Sequence, residues 1–184
     1  LRKVTINENK SGAGGYTLFT PKERFQKYPT KKFMLANLII ALGGRAAEVY
    51  LYKKNTNNPE EESIFGNFKD LDITTGASND LKQATNIARS YITDYGFGEF
   101  LLSNQDMYNS ETPFLGRDLG IDPKKVSDNT KFNIDMQVNM LLDFAFNQSY
   151  TLINKNEKAF VDSVKILKEK RVISGEDIYK NINK

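Results

Sequence analysis

Apolar residues recur at helical spacing over four long stretches of the chain, whereas β-prone runs are two and short. Val4-Thr5-Ile6 and Tyr16-Thr17-Leu18-Phe19 flank a turn-rich link carrying Gly12, Gly14 and Gly15, a pattern that predicts a β-ribbon. Two strands alone are marginal, so helices must cover one face. Thr20-Pro21-Lys22-Glu23 combines a capping threonine, a first-turn proline and a capping-box glutamate, and predicts a helix that stops near Pro29. Thr30 then caps a helix over 31–52, with Phe33, Leu35, Leu38, Ile39, Leu42, Ala46 and Val49 apolar. A third helix over 78–95 buries Leu81, Ala84, Ala88, Tyr91, Ile92 and Tyr95, and Gly96 and Gly98 end it. Ile134, Val138, Leu141, Leu142, Ala145 and Phe146 place a long helix over 129–154, and Phe160, Val164 and Leu167 another over 157–170. Ser174 caps a last short helix. The segments 53–72 and 99–126 are polar or irregular and read as loops. No internal repeat is present. The fold class is therefore mainly α, with a small N-terminal β-ribbon.

Composition changes this picture little. With 39% hydrophobic and 27% charged residues in 184, the chain suits a soluble globular domain large enough for a proper core. No apolar run approaches the roughly 18 residues of a membrane span, and Leu1 is not followed by the apolar core of a signal peptide. A net charge of +3 is mild and spread along the chain, which argues against a nucleic-acid partner. The absence of cysteine excludes disulfides and thiolate metal sites. No phosphate-binding loop of the G-x-x-x-x-G-K-[ST] type occurs, nor a G-x-S-x-G nucleophile.

Two segments carry candidate chemistry. Gly43-Gly44-Arg45-Ala46-Ala47-Glu48 sets two glycines within a helical pattern, at a cost of about 1 kcal/mol each relative to alanine, so a neighbouring surface must approach closely there. Glu48 reads as a surface acid near a helix end. Thr74-Thr75-Gly76-Ala77-Ser78-Asn79-Asp80 opens the helix over 78–95. Asp80 in its first turn is stabilised by the helix dipole and free N–H groups. It also lies at the edge of the buried face, where a carboxylate is costly without a cation or metal.

Together these segments, with Ala84, Thr85, Ala88 and Arg89 that follow, resemble the peptidase domain of the FtsH family, the membrane-anchored ATP-dependent zinc metalloproteases. The resemblance covers nearly all of the chain and extends to Val4–Pro21 and to Phe114-Leu115-Gly116-Arg117. It implies that Asp80 is a zinc ligand and that Glu48 orients a zinc-bound histidine, with direct ligation by Glu48 as the alternative. Gly15, Tyr16 and Thr17 correspond to a strand at the rim of the family's active site, whose edge can pair with an extended peptide substrate. The plain alternative is a capped ribbon. The family's H-E-x-x-H helix, which supplies two histidine ligands and the general-base glutamate, precedes the strand matching residues 2–6. No catalytic residue is therefore expected within this chain, which contains no histidine at all.

The resemblance further implies zinc as cofactor and ATP in a separate upstream module. It also implies polypeptide substrates, unfolded or extracted from a membrane, and a hexameric ring. The parent protein is expected to be membrane-associated, in a bacterial, mitochondrial or plastid membrane, with this segment soluble. Residues 1–98 are read as the remainder of the zinc-site subdomain and 99–184 as a C-terminal helical part. The long 53–72 loop, within which Ile64, Phe65 and Phe68 could dock locally, departs from the family and is read as an insertion that tolerates deletion. The chain is then part of a zinc metalloendopeptidase, inactive alone. The rival reading is a degenerate, non-catalytic peptidase domain that serves as an oligomerisation scaffold.

Overall fold

Thr30 begins the first long helix in the manner its side chain allows. Its extended backbone turns the hydroxyl toward the Phe33 N–H, 3.2 Å away, and α2 (Lys31–Ala41) follows. In this computed structural model, residues 1–7, 14–21, 23–55, 73–99 and 127–182 are described. They form two contact units, Leu1–Pro29 with Tyr150–Lys184, and Thr30–Ser149. Loops 99–126 and 53–72 fall largely outside the described residues, and with them the insertion and Phe114–Arg117.

The helix expected over 31–52 is two. Leu42 closes α2, and α3 (Gly43–Asn55) leaves at 45° to it. The apolar stripe hides this break because it runs through it: Leu38, Leu42, Ala46 and Val49 are all buried. Gly43 and Gly44 thus occupy the first turn of a helix rather than an interior, where the bend is easily accommodated. Across from α2 lies α4 (Ser78–Thr93), preceded by a 3₁₀ turn at Thr75–Ala77. Ala84 and Ala88 are fully buried, with Tyr91 and Ile92 beside them. Gly96, at φ 59°, ends this segment in the left-handed region. Phe97 folds back so that its ring meets Tyr91 edge-on at 5.3 Å, and its carbonyl accepts from Lys31 Nζ at 3.0 Å. From α5 (Asp128–Lys155), Ile134, Val138, Ala145 and Phe146 complete the buried set.

The other unit is built on a sheet. The expected ribbon of β1 (Lys3–Thr5) and β2 (Tyr16–Leu18) is present, antiparallel, with Val4 opposite Thr17. A third strand, β3 (Val172–Ser174), pairs on the other side of β1, giving the order β2-β1-β3. α1 is short, Glu23–Lys27. α6 (Glu157–Lys170) ends at Arg171, whose φ of 61° turns the chain into β3. The Arg171 carbonyl accepts from Ile6 N–H at 3.0 Å and from the Thr5 hydroxyl at 3.1 Å. Ser174 ends β3 and caps α7 (Gly175–Ile182), accepting from Asp177 N–H at 3.1 Å. No residue of α6 is fully buried. Phe160, Val164 and Leu167 line a cavity of about 420 Å³ with Val4 and Ile173. Among the described residues, no single helix is long and apolar enough to cross a membrane.

Leu38 is wholly buried where α2 meets α4. Leu38→Ala is expected to cost about 2–5 kcal/mol, measured as a lowered midpoint in urea denaturation of this chain. A cost below about 1 kcal/mol would show that this packing is not the core of the unit.

Candidate metal-ligand site

Thr74 organises the approach to α4. Its backbone is extended and its Oγ1 accepts from Gly76 N–H at 3.2 Å, which caps the 3₁₀ turn. The turn buries Ala77 and passes into α4, so that Asp80 stands in the helix's first turn, near its positive end. Asp80 is exposed. The cost of a carboxylate at the edge of a buried face, which the sequence suggested, is therefore not incurred.

The paired glycines are divided between two neighbours. A Cβ on Gly43 would lie 3.8 Å from Ser149 Oγ of α5, and one on Gly44 would lie 3.7 Å from Asp80 Oδ2. Both distances are ordinary contacts. Alanine would fit at position 44, but its methyl would lie against a carboxylate oxygen that glycine leaves uncovered.

Next along α3, Arg45 and, one turn on, Glu48 hold Thr74 by its backbone. Glu48 Oε1 accepts from Thr74 N–H at 2.6 Å, and Arg45 Nη2 donates to the Thr74 carbonyl at 3.0 Å. Arg45 Nη1 closes the ring by donating to Glu48 Oε2 at 2.8 Å. The two side chains are only 13% and 18% exposed, so this is a shielded ion pair rather than a surface one. Burial alone would raise the Glu48 carboxyl above its ordinary value. The Thr74 hydrogen bonds and the Arg45 charge outweigh burial and leave it lowered.

The sequence profile described as Peptidase family M41 matches residues 1–181. The chain belongs to this peptidase family. It is similar to the ATP-dependent zinc metalloprotease FtsH 1 of Thermoanaerobacter sp. (strain X514), at 33% identity over 183 residues, covering all of this chain and 26% of that protein. It is likewise similar to the FtsH of Mycoplasma genitalium, at 36% identity over 86% of this chain and 19% of that protein. FtsH 3 of Synechocystis sp. is 34% identical over 97% of this chain and 26% of its own length. The chain thus spans about a quarter of the length of most of these relatives.

A zinc site in this M41 chain would need ligands that the described residues do not gather. Among them, no three His, Cys, Asp or Glu side chains are grouped as a metal requires. Asp80, exposed and facing the bare backbone of Gly44, fits the part of one oxygen ligand, and the described residues fit no more than that. Glu48 is close to the segment that carries Asp80. Each of its oxygens already accepts one hydrogen bond and has room for a second. The sequence singled out Asp80 and Glu48 but gave no role to Arg45 or Thr74. The spacing of Arg45 three residues before Glu48 on a helix was the available signal.

Gly15, Tyr16 and Thr17 belong to the other unit and lie at the outer edge of its sheet, with the side chains of β2 exposed. A Cβ on Gly15 would come within 2.8 Å of the Thr5 carbonyl oxygen and 3.3 Å of Ile6 Cα. This glycine is therefore required by the approach of β2 to β1, whatever else the edge does. Gly15→Ala is expected to displace the start of β2 and lower the thermal midpoint of this chain. An unchanged midpoint would remove this packing account.

Glu48→Ala should cost about 1–3 kcal/mol, since a charge-assisted bond is lost and Arg45 keeps its charge without that partner. The same group makes stability pH-dependent. Its folded pKa is lowered from 4.5, so its contribution is complete above that value and disappears as pH falls through the lower folded one. Acid titration of stability should therefore be shallower in Glu48→Gln than in the unsubstituted chain. Equal slopes would mean that Glu48 titrates alike in both states.

Proposed function

We propose that this chain is the C-terminal peptidase portion of an ATP-dependent zinc metalloprotease, whose substrates are unfolded or membrane-extracted polypeptides. The observation that carries this reading is the exposed Asp80 carboxylate, set at the head of α4 over Gly44 by a turn anchored to α3. In this reading Asp80 supplies one zinc ligand, and Glu48 supports the metal site from behind. Two histidines and a general-base glutamate come from an H-E-x-x-H helix elsewhere in the complete protein. The zinc, when bound, supplies activation of water for attack on a peptide carbonyl.

This chain's residues contribute position. Asp80 presents oxygen at a fixed point, Gly44 keeps that oxygen uncovered, and Thr74 fixes the turn between them. β2, with Gly15, Tyr16 and Thr17, offers an exposed strand edge to an extended substrate. Residues 1–98 form the remainder of the zinc-site subdomain, and 99–184 its C-terminal helical part. The ATPase module, the membrane anchor and a hexameric ring belong to the complete protein. The names of the relatives, ATP-dependent zinc metalloproteases, support zinc and ATP dependence.

The lack of histidine in this chain favours a specific test. With only oxygen ligands available, residues 1–184 alone are expected to bind no stoichiometric zinc and to cleave no peptide. In the complete protein, zinc and peptidase activity should both appear, and Asp80→Asn should lose both while circular dichroism stays unchanged. Tight zinc binding by the chain alone would show another site. Full activity in Asp80→Asn would remove Asp80 from the metal. A complete protein without H-E-x-x-H, assembling but inactive, would establish the scaffold reading instead.

A further inference from the structure

We propose that Arg45 is a positioning residue for the metal ligand Asp80, acting through the backbone of Thr74. This rests on the reading of Asp80 as a ligand. The guanidinium spans two acceptors that lie on different parts of the chain, Glu48 Oε2 at 2.8 Å and the Thr74 carbonyl at 3.0 Å. Glu48 in turn holds the Thr74 N–H at 2.6 Å. Both polar groups of one peptide residue are thus fixed by a single face of α3. Thr74 then passes the constraint on, because its Oγ1 caps the 3₁₀ turn that leads directly into Ser78, Asn79 and Asp80.

Among the described residues, the alternative anchors of this turn are few. α4 is locked into the core by Ala84 and Ala88, which lie beyond its first turn. Asp80 and Leu81 are exposed, and within the 3₁₀ turn only Ala77 is buried. The head of α4 is therefore held from behind by core packing and from in front by the Thr74 clasp. Gly44 sits next to Arg45 in sequence and faces Asp80 Oδ2. Arg45 and the metal-facing Gly44 accordingly share the first turn of α3, with Glu48 in the next, and a shift at Thr74 changes the height of the carboxylate over Gly44.

Arginine is needed for this task in a way lysine is not. A guanidinium presents diverging N–H groups from separate nitrogens in a fixed plane, whereas an ammonium carries its three donors on one freely rotating nitrogen and offers no fixed fork to span two acceptors. The Arg45 side chain is mostly buried, which holds its guanidinium in place between the two acceptors.

The test uses the complete protein with Arg45→Ala, Arg45→Lys and Asp80→Asn prepared in parallel. Zinc affinity is measured by competition with a chromophoric chelator, and the ligand geometry by the visible spectrum of the cobalt(II)-substituted protein. Circular dichroism and thermal midpoints establish that each variant is folded at the temperature used. Arg45→Ala should weaken zinc binding about tenfold or more, the range seen when the supporting partners of metal ligands are removed. Its cobalt spectrum should shift, and Arg45→Lys should fall between. Should Arg45→Ala not fold, Arg45→Lys carries the test, with a smaller loss of affinity and a shifted spectrum expected. Loss of zinc in Asp80→Asn, with wild-type affinity and spectrum in the folded Arg45 variants, would overturn the positioning role and leave the ligand reading standing. Retention of zinc by Asp80→Asn would overturn both.

Discussion

Ala84 and Ala88 let α4 lie close against α2, and the geometry of the candidate site depends on that approach. Small side chains at these two positions leave no large surface to separate the helices. α3 continues from α2 through the bend at Leu42. Its first turn, with Gly44, is consequently delivered to the head of α4, and its second turn, with Glu48, to Thr74. A carboxylate on a free helix end would wander with the fraying of the first turn. Here the core fixes the body of α4, and hydrogen bonds to a neighbouring helix fix its approach.

The polar contacts at this site illustrate a division of labour. The exposed carboxylate, Asp80, is left open to solvent. The shielded one, Glu48, is committed to structure by a backbone N–H and a guanidinium. Two acids on neighbouring helices thus stand in different surroundings, one solvent-exposed and one hydrogen-bonded. Membership of peptidase family M41 supplies the context in which such a division is useful.

Much of this was legible in the sequence because it is local. Thr30, Ser174 and Gly96 announce helix boundaries through bonds and torsions within a few residues, and each does so in the structure. The buried face of α4 follows from its spacing at Ala84, Ala88, Tyr91 and Ile92, but Leu81 and Tyr95, which the same spacing placed on it, are exposed. The bend at Leu42 was not legible, because periodicity reports which side of a helix is buried and is insensitive to a change of axis that keeps the same side inward. β3 escaped because Val172-Ile173-Ser174 is too short for alternation to be recognised, and its pairing partner lies at the far end of the chain. Arg45 and Thr74 escaped for a related reason. Their contact joins residues separated by a connection between α3 and α4, and no pattern in either segment encodes the distance between them.

The pairing of β1 with β3 has a consequence for how this polypeptide is made. Thr5 and Arg171 share a hydrogen bond across 166 positions, and among the described residues β1 has β2 as its only other strand partner. During synthesis β1 leaves the ribosome long before β3, and its second partner exists only once the intervening residues have been made. A two-stranded ribbon is a marginal structure on its own, and closing so wide a loop is slow relative to helix formation. The helices of the Thr30–Ser149 unit can assemble before β3 is made, whereas the sheet is completed only afterwards. Ribosomes that stop before Val172 would therefore release chains with the helical unit present and an unpaired β1 edge, the sort of nascent product that chaperones and quality-control proteases recognise.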